Sequence, residues 1–218
     1  DHDDSVRVVV LAGRGRHFSA GADLNWMRRA ASHGEAENLA DARQFARMLR
    51  TLATLSKPTV ARVHGAALGG GAGLTAACQM AIASDDAVFS TSEVRFGIIP
   101  AVISPYVLQA IGPRQAQRYF QSGERFDAAR ALAMGLVSEV APAAQLDARV
   151  AALAESLCAG GPCAQRAARE LIAAVHGRPL GEATDEDTAQ RIARQRATAE
   201  AREGIAAFLE KRPADWLR

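Results

Sequence analysis

Residues 67–73 read Ala-Leu-Gly-Gly-Gly-Ala-Gly, and the chain enters this stretch through Val-His-Gly at 63–65. Four of the last five residues are glycine, without the Ser, Asn or Asp of a polar loop. Glycine permits positive φ and lets another group approach the main chain closely. Where such a loop runs into a helix, its free N–H groups and the helix dipole form a site for negative charge. The loop by itself leaves open whether that charge is a phosphate or an oxyanion formed in a reaction.

The loop does not match two common phosphate-binding patterns. It lacks the strand-terminal acidic residue that accompanies GxGxxG and the Lys-Ser/Thr of a P-loop. A second small-residue stretch, Phe-Ser-Ala-Gly-Ala-Asp-Leu at 18–24, also follows an apolar segment and precedes a helical pattern. Backbone N–H groups of Ala22 and Gly70, if aimed at one spot, would hold a thioester or ester oxygen as it becomes an enolate. The spacing is equally compatible with two tight structural turns.

Glu93 is the strongest candidate for acid/base chemistry. It follows an apolar strand pattern and precedes the apolar run 94–100. Partial burial there would raise the pKa of its carboxyl and suit it to proton transfer. The alternatives are a solvated loop residue or an ion pair with Arg95. His17 and His64 have no nucleophile or carboxylate at a recognisable spacing and are interpreted as structural or surface residues; no cluster has metal-ligand spacing, and GxSxG is absent.

The amino-acid composition is typical of an ordinary globular protein. The chain length is sufficient for one substantial core, or for a core with a helical appendage. The 218 residues are 49% hydrophobic and 23% charged. A net charge of +2 and 5% aromatic residues argue against nucleic-acid binding, and no apolar run is long enough to span a membrane. Cys78, Cys158 and Cys163 form no CxxC pair, so we expect small buried free thiols in a reducing, cytoplasmic setting.

The hydrophobic pattern predicts an α/β layout with crossover connections. Asp23 is a predicted N-cap, Ser104 is predicted to cap a helix with Pro105 at its first position, and the strand at 7–13 is predicted to be buried on both faces. Because that strand begins almost at the first residue, we expect further chain upstream. Predicted strands are 7–13, 59–63, 80–83, 87–90 and 135–140; predicted helices are 35–55, 74–78, 106–111, 114–121, 128–134, 143–159, 162–176 and 183–209.

Taken together, these stretches resemble the enoyl-CoA hydratase/isomerase, or crotonase, family. Residues 18–24 resemble its first oxyanion stretch, 64–71 its second, and 92–100 its catalytic-glutamate segment; 131–137 and 203–212 match its later signatures. The resemblance covers essentially the whole chain in the same order. It implies an α/β crotonase-like (ClpP/crotonase) superhelix of ββα turns at 1–141, lacking the family's N-terminal strands and first helix, and a helical trimerisation region at 142–218.

The resemblance also implies acyl-CoA substrates, no separate cofactor because coenzyme A is part of the substrate, no metal, and a homotrimer or a hexamer made of two trimers. No membrane or nucleic-acid partner is implied. By position, Ala22 and Gly70 would supply the oxyanion-hole amides and Glu93 would be the acid/base. Further substrate contacts would be Ala20, Asp23, Leu24, Trp26, Gly69, Gly73, Pro100, Tyr106 and, from a neighbouring subunit, Phe208 and Lys211. Trp26 and Met27 would line an acyl pocket, although core packing is the commoner role of such residues.

One departure from the family bears on the mechanism. Gly73 stands where two-glutamate hydratases carry a second Glu; a single carboxylate suits an isomerase, yet some hydratases of the family also lack the second one. Segments 18–27 and 99–106 look most like the bacterial methylglutaconyl-CoA hydratase branch. We therefore expect a hydratase of a branched or carboxylated 2-enoyl-CoA from leucine or acyclic terpene breakdown. The alternatives are a Δ3,Δ2-enoyl-CoA isomerase and a non-catalytic relative that binds acyl-CoA or RNA.

Overall fold

The computed structural model describes residues 1–217. Its strands form two sheets, one with the order β1-β2-β4-β7 and one with the order β3-β5-β6. All neighbouring strands are parallel except β5 and β6. This pairing confirms the α/β layout with crossover connections. The strands are β1 (Val9–Ala12), β2 (Thr59–Val63), β3 (Ala66–Leu68), β4 (Met80–Ser84), β5 (Val88–Ser90), β6 (Phe126–Asp127) and β7 (Glu139–Ala141).

The helices lie close to their predicted positions, and α5 and the start of α2 match the prediction. The helix after the glycine loop starts earlier than predicted, within the glycines themselves. The helices are α1 (Leu24–Ala30), α2 (Glu35–Thr54), α3 (Gly70–Ala77), α4 (Ser104–Ser122), α5 (Ala128–Met134), α6 (Leu146–Ala159), α7 (Pro162–Val175), α8 (Glu182–Arg196) and α9 (Ala199–Glu210), with 3₁₀ turns at Ser92–Phe96, Ala143–Gln145 and Asp215–Leu217.

The chain forms two compact units. One comprises residues 9–55 and 59–152 and contains both sheets; the other comprises residues 1–8, 56–58 and the chain from Leu153 onward. The predicted domain division between residues 141 and 142 stays a prediction. The core of the first unit includes the fully buried side chains of Leu49, Val63 and Phe89. No helix within residues 1–217 is long and apolar enough to cross a membrane.

The first strand differs from its prediction. Residues along β1 alternate between half-buried and exposed, and Val10 is 42% exposed. Successive side chains of a strand point to opposite faces, so this alternation means that the face carrying Val10 and Ala12 is exposed. The expectation that it is buried on both faces is therefore wrong.

The cysteines are free, and their burial differs from one to the next. Cys78 is buried, Cys158 is half-buried and Cys163 is exposed. Burial raises the pKa of the Cys78 thiol to about 12, which makes it unreactive at neutral pH. The prediction of a small buried residue is confirmed for Cys78 and is wrong for Cys163.

Two helix boundaries differ from the prediction, each because of a local hydrogen bond of a side-chain hydroxyl. The cap of α4 is Ile103, and the Ser104 hydroxyl donates instead to the Ala101 carbonyl, so the prediction that Ser104 is the N-cap is wrong. Near the C-terminus the predicted helix 183–209 is two helices. Thr198 interrupts it because its side-chain oxygen accepts from the Ala201 N–H at 3.1 Å and caps α9.

Candidate active site

Three parallel segments bring the predicted site residues to one edge of the smaller sheet. Ser19 forms a parallel bridge with Ala67 in β3, and β3 pairs in parallel with β5. The Leu68 N–H donates to the Ser19 carbonyl at 2.9 Å, and the Gly69 N–H donates to the Ser90 carbonyl at 2.8 Å. Parallel segments end at the same edge of a sheet, so the residues that follow them meet there. Those residues are Ala22, Gly70 and Glu93.

The glycine loop turns directly into α3, as the sequence predicts. Gly69 caps the helix at φ 54° and ψ −115°, a conformation that favours glycine, and Gly70 is the first helical residue. N–H groups in the first turn of a helix have no intrahelical acceptor and lie at the positive end of its dipole. On the neighbouring segment, the Ala22 N–H follows Gly21 at φ 115° and has no hydrogen-bond acceptor within residues 1–217.

Glu93 lies in the 3₁₀ turn that follows β5, and its carboxylate faces the glycine loop. Its Oε1 is 3.2 Å from the position that a Cβ on Gly69 would take. Its Oε2 is buried and has no hydrogen-bond partner within residues 1–217. Burial raises the pKa of the carboxyl, and its own backbone N–H offsets that rise only in part.

Neither alternative interpretation of Glu93 is supported. The residue is half-buried rather than solvated, and it forms no ion pair in the described part of the chain. The Arg95 side chain packs elsewhere, with its Cγ and Nε each 3.2 Å from the position of a Cβ on Gly123.

Other glycines of the loop admit close neighbours. A Cβ on Gly71 would lie 2.8 Å from the Ser19 Cβ, so glycine lets the 18–19 segment pack directly against α3. A Cβ on Gly70 would lie 3.3 Å from Cζ of Phe45, whose ring covers the start of the helix. The loop is therefore held between α2 and the first small-residue stretch.

Gly73 is buried beneath Ile103. A Cβ on Gly73 would lie 2.7 Å from the Ile103 Cβ, and Ile103 is 2% exposed. A side chain at residue 73 would have to displace this isoleucine, so residue 73 has no room for a carboxylate that would join Glu93. The sequence places Ile103 among the residues that would shape an acyl pocket, but its contact with Gly73 was not predicted, because it joins two helices that are distant in the chain.

A groove of about 490 Å³ opens beside the same segments. Ala20 and Leu68 line it together with two arginines, Arg16 and Arg125, and one acid, Asp86. The groove therefore combines apolar surface with a positive balance of charge. Ala20 was predicted as a substrate contact, whereas Arg16 and Arg125 were missed because nothing in their local sequence distinguishes them from other surface arginines.

The other predicted substrate contacts of this unit lie at the start of α1, at Pro100 and in α4. The Asp23 carboxylate caps α1 by accepting from the Trp26 N–H at 2.8 Å, which confirms the predicted N-cap. Leu24 and Trp26 in α1 are 68% and 38% exposed, so the core-packing interpretation of Trp26 is wrong. Pro100 is buried, and Tyr106 packs against the core from α4.

Phe208 and Lys211 belong to the other compact unit. Phe208 is 82% exposed on α9, and Lys211 ends that helix at φ 55°. Their predicted reach to a neighbouring subunit stays a prediction. Within residues 1–217, no three His, Cys, Asp or Glu side chains form a group that could hold a metal ion.

A family model and curated relatives match nearly the whole length of this chain. The family model for enoyl-CoA hydratase/isomerase matches residues 1–218. A Thermus thermophilus protein provisionally named enoyl-CoA hydratase is 38% identical over 215 residues, which are 97% of this chain and 83% of that protein. The 2,3-dehydroadipyl-CoA hydratase of Escherichia coli is 33% identical over 98% of this chain and 82% of its own length.

A solved structure extends the agreement to the fold. The Legionella pneumophila protein provisionally named enoyl-CoA hydratase/isomerase (crotonase) superposes with a TM-score of 0.96 at 44% identity, covering 99% of this chain and 83% of that one. These matches confirm the predicted crotonase fold. The chain therefore belongs to the enoyl-CoA hydratase/isomerase family of enzymes.

Proposed function

We propose that this enzyme adds water across the double bond of a 2-enoyl-CoA thioester, with Glu93 as acid and base. One observation carries the proposal: the half-buried Glu93 carboxylate, with its Oε2 unpartnered in residues 1–217, lies against the turn at which α3 begins. A carboxylate and the positive end of a helix then face the same space. The proposed oxyanion hole consists of the backbone N–H groups of Ala22 and Gly70.

In the proposed reaction, ionised Glu93 takes a proton from water as the water oxygen attacks the β-carbon. The electron pair of the double bond moves toward the thioester carbonyl, whose oxygen becomes an enolate held by the two N–H groups. Glu93 then returns the proton to the α-carbon, and the carbonyl re-forms. A raised pKa serves both steps, because it makes the carboxylate a better base and keeps the carboxyl an effective acid.

We place the phosphate-bearing end of coenzyme A in the groove lined by Arg16 and Arg125. Two guanidinium groups against the one carboxylate of Asp86 favour an anionic ligand. Ala20 and Leu68, which line the same groove, would contact the uncharged part of the thioester. Phe208 and Lys211 would reach coenzyme A on a neighbouring subunit of a trimer or hexamer, with Lys211 as a point charge on phosphate.

For the acyl group we propose a branched or carboxylated chain of the methylglutaconyl type, as formed in leucine breakdown. Two observations support it: the sequence of residues 99–106, and the similarity to a 2,3-dehydroadipyl-CoA hydratase. The exposed side chains of Leu24 and Trp26 in α1 would form part of the acyl pocket.

A Δ3,Δ2-enoyl-CoA isomerase is the second candidate, and one observation favours it. Ile103 excludes a side chain at residue 73, so a single carboxylate serves the site. One carboxylate is sufficient to move a proton between two carbons of an enolate. Supplying a 3-enoyl-CoA and a 2-enoyl-CoA separately distinguishes the two reactions, because only the isomerase converts the first into the second without consuming water.

The test of the hydratase is a Glu93→Gln variant assayed by the loss of enoyl absorbance. Losing the acid/base group should lower kcat by about 10²- to 10⁴-fold, with a much smaller change in KM. Glu124→Gln is the matched control, because Glu124 pairs with Arg118 at the surface, where ion pairs contribute little. Full activity in Glu93→Gln would reject the proposed role.

A further inference from the structure

A chain of hydrogen bonds links the start of α6 to the turn at residues 14–17, and Arg16 and His17 of that turn line the groove. Asp147 pairs with Arg62 of β2, the Arg62 guanidinium donates to Nδ1 of His64 at 2.8 Å, and Nε2 of His64 lies 3.0 Å from the Gly15 carbonyl oxygen. A guanidinium only donates and a carbonyl only accepts. The two partners therefore select the neutral tautomer of His64 in which Nε2–H donates to Gly15.

A second histidine attaches the same turn from its other side. Nδ1 of His17 accepts from the Ala66 N–H at 3.1 Å. Gly65, at φ 59°, allows this approach, because a Cβ there would lie 2.7 Å from Nδ1 of His17. The turn is thus bonded to residues 64–66 through two imidazole rings, and Arg16 lies on it between those attachments.

We propose that His64 is a positioning residue that, with His17, holds the 14–17 turn so that Arg16 meets the phosphates of the coenzyme A thioester. The proposal rests on the proposed function, which places those phosphates in the groove lined by Arg16 and His17. A side chain on a fixed turn loses less conformational entropy on binding than one on a mobile turn. His64 therefore acts on affinity for the nucleotide end of the substrate and not on proton transfer at Glu93.

The experiment compares two substrates with the same acyl group, the coenzyme A thioester and the pantetheine thioester, which lacks the nucleotide. His64→Ala should raise KM for the coenzyme A thioester about five- to tenfold, the effect of one weakened charged contact. Its kcat, and its KM for the pantetheine thioester, should stay within about twofold of the wild type. His64→Gln should restore most of the affinity, since its amide can accept from Arg62 and donate to Gly15. His33→Ala, an exposed histidine, is the control.

A double-mutant cycle with Arg16→Ala tests whether His64 acts through that arginine. In the Arg16→Ala background, His64→Ala should change KM for the coenzyme A thioester by less than about twofold, because the positioned group is already gone. If His64→Ala does not fold, Arg62→Gln takes its place. It removes the donor that selects the tautomer, and it should raise the same KM selectively.

Several results would overturn the inference while leaving the hydratase intact: an equal rise in KM for both thioesters, multiplicative effects of Arg16→Ala and His64→Ala, or an unchanged KM in His64→Ala or in the substitute Arg62→Gln. A wild-type enzyme that hydrates neither thioester would instead reject the proposed function, and this inference with it.

Discussion

Ile103 occupies the space into which any side chain on Gly73 would extend. The Ile103 Cβ lies 2.7 Å from the position of a Cβ on Gly73, much closer than two carbon atoms pack without a bond between them. Gly73 belongs to α3, and Ile103 caps α4. The contact brings these helices together and leaves no room for a second carboxylate beside Glu93.

Gly73→Ala should therefore destabilise the protein by about 1–3 kcal/mol through overpacking. Urea denaturation of the purified variant measures the loss. Ile103→Ala alone should cost about 2–5 kcal/mol by leaving a cavity, but the double variant should lose less than the sum, because the new methyl group enters that cavity. Strict additivity would show that the two positions do not compete for space.

The Gly70 N–H can be removed with little change to the helix. Gly70→Pro places proline at the first helical position, where its ring is normally accepted. If this N–H stabilises the enolate, kcat should fall about 10²- to 10³-fold while the circular dichroism spectrum stays that of the wild type.

Gly70→Ala is the matched control, because it keeps the N–H. Its Cβ would lie 3.3 Å from Cζ of Phe45, a contact that a small shift of the ring relieves. Its kcat should stay within about tenfold of the wild type. Equal losses in the two variants would mean that the space around Gly70 matters and its N–H does not.

The rate should depend on pH through Glu93. Hydration needs the ionised carboxylate, so kcat/KM should rise with pH along the acidic side of the profile and then level off. The midpoint of that rise should lie above the ordinary pKa of a glutamate, because burial raises the pKa of Glu93. A midpoint at or below the ordinary value would contradict the burial of this group in the free enzyme.

The free energy of unfolding should also depend on the ionisation of Glu93. Unlike kcat/KM, this contribution should fall as pH rises. Since the folded-state pKa exceeds the unfolded one, the folded state binds the proton more tightly, and ionisation of Glu93 opposes folding above that pKa. Glu93→Gln should therefore raise both the free energy of unfolding and Tm at pH 7. Thermal melts at about pH 4 should show a smaller difference, because Glu93 is largely protonated there in both states. A difference that grows toward acid pH would reject this explanation.

Local features of the site could be predicted from the sequence. The glycines of the loop, the Asp23 cap and the placement of Glu93 after a strand each depend on residues near one another in the chain. Strand β3 was not predicted, because three residues between a glycine and a glycine-rich helix start show no periodicity. Its existence depends on pairing with Ser19 and β5, which are distant in sequence.

The hydrogen bonds of His17 and His64 are a second feature of the structure that depends on residues distant in the chain. The sequence predicts a structural or surface role for each, because neither has a nucleophile or carboxylate at a recognisable spacing. Their hydrogen bonds to Ala66 and Gly15 could not be predicted, because each joins two turns across 49 residues of chain.

By itself, the sequence determined which chemistry is present: a bare backbone loop for negative charge, one carboxylate in an apolar run, and the family to which they belong. Local residue types are sufficient for this, because helix starts, caps and glycine turns depend on short-range sterics and hydrogen bonds. Only the tertiary structure decided that Glu93 lies over Gly69, that Ile103 closes the space beside Gly73, and that Arg16 lines a groove. These contacts depend on strand register and helix packing. Both join segments that are distant in the chain, and no local sequence pattern indicates which segments will meet.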